Sequence, residues 1–304
     1  MSDPHRELGE FLRRARARRH PEATGLLPDG RARRVPGLRR EEVAMLSGVS
    51  TDYYTRLEQG RNVTPSAQVI EALIRALDLD AAGQTYLRTL VSTAGSPVSR
   101  SHPLVQRVRP GLYQLLDSLS SQPTLILGRR TDILATNALA RSLFADFESM
   151  PAKHRNYARW MLLDESARIL FRDWEEQARN AVEVLRLDAA VTPDDQGTQQ
   201  LVGELSLASH EFRQWWSAHR VHQRTHGTKR LSHPLVGELD VQFETLALPR
   251  RESQVLYVYS AEPGSGSHRA LSLLASWTPS TRLHAGNETA PANSSVVSGM
   301  KSRG

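Results

Sequence analysis

Four polar side chains with hydrogen-bonding capacity share one face of a short predicted helix: Thr51, Asp52, Thr55 and Arg56. Tyr54 and Leu57 fall on the opposite face, where they can anchor the helix against a neighbouring one. A protruding helix of this size fits the major groove of DNA, where an arginine donates two hydrogen bonds to guanine. The chemistry that this face offers is recognition of base edges.

The residues around this face predict a helix, a tight turn and a second helix. The first predicted helix covers about residues 40–46, Gly48 breaks it, and Ser50 caps the second helix, which continues to about residue 58. Ala44 is small enough for the two helices to cross at close range. Gly60 ends the second helix. This combination, within a set of five predicted helices, favours a DNA-binding helix-turn-helix over an ordinary helical hairpin with a charged face.

Positive charge is concentrated near this pair of helices. The 304 residues carry a formal net charge of +6, and residues 13–40 contain ten arginines against two acidic residues. Such a block suits a polyanionic partner. A solvated loop in an arginine-rich chain is the alternative interpretation.

Composition excludes several classes of protein. The chain has no cysteine, which rules out disulfides, thiolate nucleophiles and cysteine-ligated metal sites. It has no run of about 18 apolar residues, and its polar N-terminus does not resemble a secretory signal. We therefore expect a cytoplasmic protein without membrane insertion.

The pattern of predicted elements divides the chain into four parts. A helix-turn-helix domain is predicted at 1–92, a Ser-, Pro- and Gly-rich linker at 93–110 and a disordered tail at 278–304. Between them, at 111–277, strands come first (124–127, 133–136) and last (227–231, 239–248, 254–259), with helices at roughly 137–218 and 267–277. This order predicts one sheet in which the first and last strands pair. The expected fold class is multidomain, with an all-α domain before an α+β domain.

Motifs distributed over most of the chain resemble one family. After the helix-turn-helix run at 37–61 come PGL (110–112), LGRR (127–130), NALA (137–140), ARW (158–160), DWE (173–175), VGELS (202–206), FRQWW (212–216), HGTKR (226–230), HP (233–234), ETLALP (244–249) and AEPG (261–264). In this order they resemble the MmyB-like regulators, which join a helix-turn-helix of the lambda-repressor (Xre) type to a PAS-like ligand-binding domain. The resemblance covers roughly residues 6–277.

The resemblance implies particular DNA contacts. Thr51, Asp52 and Arg56 occupy the positions of base-contacting side chains in the helix-turn-helix superfamily. Five further residues occupy the positions of phosphate contacts: Arg40, Ser50, Tyr53, Gln59 and Arg61. Because one short recognition helix reads only about four to five base pairs, we expect a homodimer on an inverted repeat of double-stranded DNA.

For the C-terminal domain, the resemblance implies a PAS-like fold and a small hydrophobic effector such as a long-chain fatty acid. Such a ligand needs an apolar cavity with one polar anchor. Aromatic side chains that suit the walls are Trp160, Trp174, Phe212, Trp215, Trp216 and Phe243, with Met161 and Phe171. Candidate anchors for a carboxylate are Arg159, His226 and Lys229. Plain core packing of the aromatic residues and a surface position for the cations are the alternatives.

Two other functions remain open on the sequence alone. The C-terminal domain could serve only to dimerise or to bind a protein, which would make the chain a DNA-binding scaffold. Alternatively, His219, His222 and His226 have i, i+3, i+7 spacing and could bind a metal from one helix face, as in a metal-dependent enzyme. Gly227 and the nearby arginines oppose that interpretation, and the GSGS segment at 264–267 predicts only a turn. We therefore expect no catalytic residue, no metal and no cofactor apart from an effector.

Overall fold

The computed structural model describes residues 4–25, 37–61, 63–94, 106–222, 225–248 and 254–277. Most of the predicted linker and all of the predicted tail lie outside these residues. Five helices form the N-terminal part: α1 (Pro4–Arg18), α2 (Arg40–Ser47), α3 (Thr51–Glu58), α4 (Ala67–Leu77) and α5 (Ala81–Ala94). No helix in the described ranges is both long enough and apolar enough to cross a membrane.

The five N-terminal helices enclose one apolar core. Leu8, Phe11 and Leu12 recur at the spacing of one helix face on α1, and all three are buried. Tyr54 and Leu57 of α3 join the same core. The amphipathic pattern of each helix therefore decides which face it turns inwards.

Five strands form one antiparallel sheet in the C-terminal part, in the order β2-β1-β5-β4-β3. They are β1 (Thr124–Leu127), β2 (Ile133–Thr136), β3 (His226–His233), β4 (Gly237–Leu248) and β5 (Gln254–Ser260). Along β4, Leu239, Val241 and Phe243 are buried and alternate with exposed polar residues, which places one face of the strand in the core. Because β1 pairs with β5, the prediction that the first and last strands lie side by side is confirmed.

Helices pack on both faces of this sheet. On one face, α6 (Pro110–Ser118) places Leu112 and Leu116 against Ile126 and Leu256. The larger core lies on the other face and is built with α7 (Ala138–Leu143), α8 (Tyr157–Leu163), α9 (Glu165–Leu170), α10 (Trp174–Val191), α11 (Gln196–Ala208), α12 (His210–Ser217) and α13 (Gly266–Trp277). The chain thus has the predicted layout of an all-α domain followed by an α+β domain.

The two domains contact each other. Ala190 near the end of α10 and Val221 after α12 join the core of the N-terminal helices. Helix α10 packs against α5. The longest helix of the C-terminal domain therefore touches the N-terminal domain directly.

Candidate nucleic-acid interface and ligand cavity

Local caps and buried side chains hold α3 in place. Gly48 has a φ of 68°, a left-handed conformation that favours glycine, and it turns the chain between α2 and α3. The Ser50 hydroxyl accepts a hydrogen bond from the backbone N–H of Tyr53 at 3.1 Å and so caps α3. Tyr54 and Leu57 are 0% and 1% exposed and fix the inner face of the helix. The outer face is therefore presented from a rigid support.

The three residues predicted to contact bases lie on this outer face. Thr51, Asp52 and Arg56 are exposed, and Thr55 between them is half-buried. Together they offer a hydroxyl, a carboxylate and a guanidinium from one helix of eight residues. These groups suit the donors and acceptors of base edges in the major groove.

A buried carboxylate ties the end of α3 to two other helices. The side chain of Glu58 is 0% exposed and accepts hydrogen bonds from Arg16 Nε of α1 at 2.6 Å and Arg40 Nε of α2 at 2.7 Å. Burial raises the pKa of Glu58, but the hydrogen bonds from the two arginines outweigh burial, so the pKa is lowered overall. Arg40, a predicted phosphate contact, thus uses its Nε to orient α3, while its side chain remains 43% exposed.

The other predicted phosphate contacts lie at the two ends of α3: Ser50 and Tyr53 at its start, Gln59 and Arg61 after its last turn. Gln59 and Arg61 are exposed. Gly60 between them has a φ of 65°, and a Cβ atom there would lie only 3.0 Å from the Cα atom of Arg6. This close approach to α1 fixes the path by which the chain leaves α3.

A small cavity of about 50 Å³ lies between the sheet and α10. The sheet lines it with Leu125, Leu127, Lys229, Phe243, Tyr257 and Tyr259, and the helices line it with Tyr157, Gln177, Asn180, Ala181 and Val184. Most of this wall is aromatic or aliphatic. Such a lining, with a few polar groups, is typical of sites for hydrophobic ligands.

Lys229 places an amine in this wall. It is 7% exposed, and its Nζ donates a hydrogen bond to Gln177 Oε1 at 2.8 Å. The same nitrogen lies 5.0 Å from the ring centroid of Phe243 and 5.5 Å from that of Phe171, within the range of cation–π contacts. In these low-dielectric surroundings a hydrogen bond between this amine and an anionic group is stronger than the same contact at the surface.

Two of the nine residues predicted for a ligand pocket, Lys229 and Phe243, line this cavity. Arg159 instead forms an ion pair with Glu204 at 2.8 Å, and His226 is exposed at the start of β3. The other five are aromatic residues that pack in or against the larger core: Trp160, Trp174, Phe212, Trp215 and Trp216.

Lys229 is a predicted residue of the cavity, and its position has a local reason. It precedes Leu231 by two positions on β3, and strand alternation therefore places both on the buried face. Other residues of the cavity were not predicted from the sequence. Tyr157 and Gln177 come from helices distant in sequence, and only the tertiary structure brings them to the strands.

The structure separates the three histidines of the alternative metal site. Helix α12 ends at Ser217, His219 has a left-handed φ of 48°, and His226 begins β3. The hypothesis that His219, His222 and His226 share one helix face is therefore wrong. Over the described ranges, no three potential ligands are grouped to hold a metal ion.

Two family comparisons agree with this geometry. The family described as MmyB-like transcription regulator ligand binding domain matches residues 108–274, the part that contains the sheet and its cavity. A helix-turn-helix domain family matches residues 7–84, which include the α2–α3 pair. No curated protein matches the chain. The chain is a helix-turn-helix protein and belongs to the MmyB-like transcription regulators.

Proposed function

We propose that the protein regulates transcription by reading specific sequences of double-stranded DNA with α3. Its family membership already makes it a DNA-binding regulator with a ligand-binding domain. The finer proposal rests on the exposed outer face of α3. In it, Thr51, Asp52 and Arg56 contact bases, with Arg56 donating to guanine and Asp52 accepting from an amino group of cytosine or adenine.

Phosphate contacts flank this face in the proposal. The residues are Arg40, Ser50, Tyr53, Gln59 and Arg61. Contacts to phosphates fix the register of the helix on the duplex and carry no sequence information themselves. Because α3 is short, a homodimer on two half-sites supplies the specificity that one helix lacks.

Sequence-specific reading of DNA by α3 is tested by selecting, from random DNA, the duplexes that the full-length protein binds. We expect an enriched inverted repeat whose half-sites each span about four to five base pairs. Recovery of unenriched DNA at physiological salt would contradict sequence-specific reading.

The C-terminal cavity is proposed to sense a hydrophobic molecule with an acidic end, such as a long-chain fatty acid. The apolar wall suits the chain, and the Lys229 amine suits the carboxylate. A volume of about 50 Å³ is below the roughly 300–1,000 Å³ of ordinary ligand pockets, so a long chain must move side chains apart on entering. Binding therefore couples to a rearrangement around the cavity.

The proposed ligand is tested by measuring how tightly delipidated protein binds palmitic acid and hexadecanol. Hexadecanol has the same chain length but lacks the carboxyl group. Lys229→Met should weaken binding of palmitic acid by at least about tenfold, because a hydrogen-bonded ion pair is lost. Binding of hexadecanol should change little. Arg159→Met, which removes a cation outside the cavity, is the matched control and should leave both affinities unchanged.

Two outcomes would count against this ligand. An equal loss of affinity for both ligands in the Lys229→Met variant would show that Lys229 only supports packing. No binding of either ligand to the wild-type protein would favour the alternative of a DNA-binding scaffold.

A further inference from the structure

Helix α10 lies between the ligand cavity and the DNA-binding domain. Gln177, Ala181 and Val184 line the cavity at the spacing of one helix face. Arg186 lies nine residues after Gln177, which is two and a half turns at about 3.6 residues per turn, and so falls on the opposite face. Ala190, one turn further on, packs in the core of the N-terminal helices. Opposite faces of one helix therefore contact the cavity and the DNA-binding domain.

Arg186 makes the polar part of this contact. It is 1% exposed, and its guanidinium binds the Glu7 carboxylate of α1 and the main-chain oxygen of Trp216. The guanidinium also lies 4.0 Å from the centroid of the Trp216 ring. Tyr86 of α5 donates a hydrogen bond to the same Glu7 oxygen at 2.8 Å, and His219 Nδ1 lies 3.2 Å from it. We call these five residues the Glu7 cluster.

The charges of the Glu7 cluster depend on each other. Burial raises the pKa of Glu7, but the hydrogen bond from His219 and the charge of Arg186 outweigh burial and lower the pKa to about 2. Glu7 is therefore ionised at neutral pH and balances the buried guanidinium. Without Glu7, the DNA-binding domain would cover an unbalanced buried charge, which is strongly unfavourable.

Apolar contact covers only part of the boundary between the domains. A cavity of about 300 Å³ lies beside the Glu7 cluster, with Leu90 on one side and Val202 and Trp216 on the other. A boundary with such a gap gains less from packing than a filled one. The polar contacts of the Glu7 cluster therefore act together with the apolar contacts of Ala190 and Val221 in holding the two domains against each other.

We propose that the Glu7 cluster docks the DNA-binding domain on α10, and that α10 transmits occupancy of the ligand cavity to the orientation of that domain. Docking leaves Thr51, Asp52 and Arg56 exposed, so it does not block the proposed DNA contacts. It sets the direction in which α3 is presented. The docking rests on the contacts alone, whereas the transmission rests on the proposed ligand-sensing function.

Docking is tested by a distance measurement that needs neither DNA nor ligand. The chain has no cysteine, so spin labels can be placed on Gln68→Cys in α4 and Glu165→Cys in α9, both exposed positions. With unlabelled protein in excess, pulsed EPR should give one narrow distance distribution. Adding Glu7→Gln and Arg186→Met together should produce a second population at other distances.

The matched control is Glu175→Gln with Arg179→Met. This ion pair also lies on α10, at 2.6 Å, but within one domain. Its distance distribution should stay narrow. Broadening in both variants, or in neither, would overturn the docking role. Circular dichroism checks folding, and Glu7→Gln alone, at the more exposed partner, replaces the double variant if that variant does not fold.

Transmission is tested by the effect of palmitate on DNA affinity. Palmitate should change the DNA affinity of wild-type protein by a factor of about 5–150, and the control variant should show the same factor. The docking variant, with Glu7→Gln and Arg186→Met, should bind palmitate as tightly as wild type does. Its DNA affinity should nevertheless change by a factor near one when palmitate is added. A docking variant that keeps the full coupling would overturn transmission. If palmitate does not bind wild-type protein, the fatty-acid proposal and the transmission fail together, while the EPR result still decides docking.

Discussion

Glu58 keeps a negative charge in a site without solvent-exposed side-chain surface, facing Arg16 and Arg40. Glu58→Gln preserves the shape of the side chain but leaves two guanidinium groups facing a neutral amide. Removing one partner of a buried ion pair costs about 3–5 kcal/mol. We expect the thermal unfolding midpoint of the DNA-binding domain to fall by at least about 10 °C, measured by calorimetry.

The control for Glu58 is Glu71→Gln, which breaks a half-exposed pair with Arg88 at 2.7 Å. Exposed pairs contribute less than about 1 kcal/mol, so this variant should unfold close to wild type. Because the folded pKa of Glu58 lies below its ordinary value of 4.5, its contribution is complete above about pH 4.5 and is lost as the pH falls below that value. Equal losses of thermal stability in the two variants would contradict this account. So would a destabilisation by Glu58→Gln that persists at low pH.

Asp188 on α10 shows the opposite pH dependence. Burial raises the pKa of its carboxyl to about 7, although backbone N–H groups of Arg130 and Thr131 donate hydrogen bonds that lower it. Between about pH 4 and 7 the folded chain therefore keeps a proton that the unfolded chain has released, and the free energy of unfolding falls as the pH rises. Asp188→Asn should raise the free energy of unfolding by about 1–3 kcal/mol at pH 8 and change it little at pH 4.

Denaturant titrations at the two pH values measure the Asp188 effect. Asp117→Asn, an exposed carboxyl on α6, is the matched control and should be neutral at both. An Asp188→Asn chain no more stable than wild type at pH 8 would show that burial does not penalise this carboxylate.

At the residue scale, sequence predicts local contacts better than long-range charge pairs. The Ser50 cap and the Gly48 turn follow from neighbours in the chain, and the structure has both. The partners of Glu58 lie 42 and 18 residues away, so no local pattern reveals them. For the same reason, sequence treats Arg159 and Lys229 as equal anchors. The structure distinguishes them, because Arg159 pairs with Glu204 whereas Lys229 lines the cavity.

At the scale of elements, predictions succeed where a cap coincides with a change in the apolar pattern. Helix α3 and the hairpin strands β1 and β2 begin and end where the sequence indicates. The region predicted as helical at 137–218 contains six helices, and several of their boundaries are not resolved by sequence. Asp164 and Ser209 cap helices there, but each follows directly on another helix, so apolar periodicity continues past the break. The breaks depend instead on packing against helices that are distant in sequence, such as α11 against α8 and α12 against α10.

The outer face of α3 gives a prediction about specificity. Arg56→Ala should cost about 1–3 kcal/mol of binding free energy on the selected DNA site and relax the preference at one base pair per half-site. Binding to random duplex at the same salt should change much less. Arg75→Ala, an exposed arginine on α4, removes the same charge away from α3 and should spare specificity. Equal losses on selected and random DNA would make Arg56 a phosphate contact instead.

At the scale of the whole molecule, sequence gives the order of the two domains but not their contact. Composition and motifs separate a helical part from an α+β part, and the fold has that layout. The pairing of Glu7 with Arg186 spans 179 residues and depends on the completed fold of both parts. Its chemistry is ordinary for surface residues of a helix, so nothing local distinguishes these two charges from the many others in the chain.

The docked arrangement predicts how a dimer should respond to the spacing of its half-sites. If each DNA-binding domain is fixed on its α10, the two α3 helices lie at one distance, and binding should have a sharp spacing optimum. Inserting five base pairs turns one half-site to the opposite face of the duplex, and inserting ten restores the face but adds about 34 Å. Wild-type protein should lose affinity towards that of one half-site on both duplexes. The variant with Glu7→Gln and Arg186→Met should lose less affinity on the ten-base-pair insertion, because its domains can reorient.

Sedimentation measures the stoichiometry of these complexes, and fluorescence anisotropy measures their affinities. A monomer bound to one asymmetric site would contradict the dimer, and equal wild-type affinity at every spacing would contradict fixed docking.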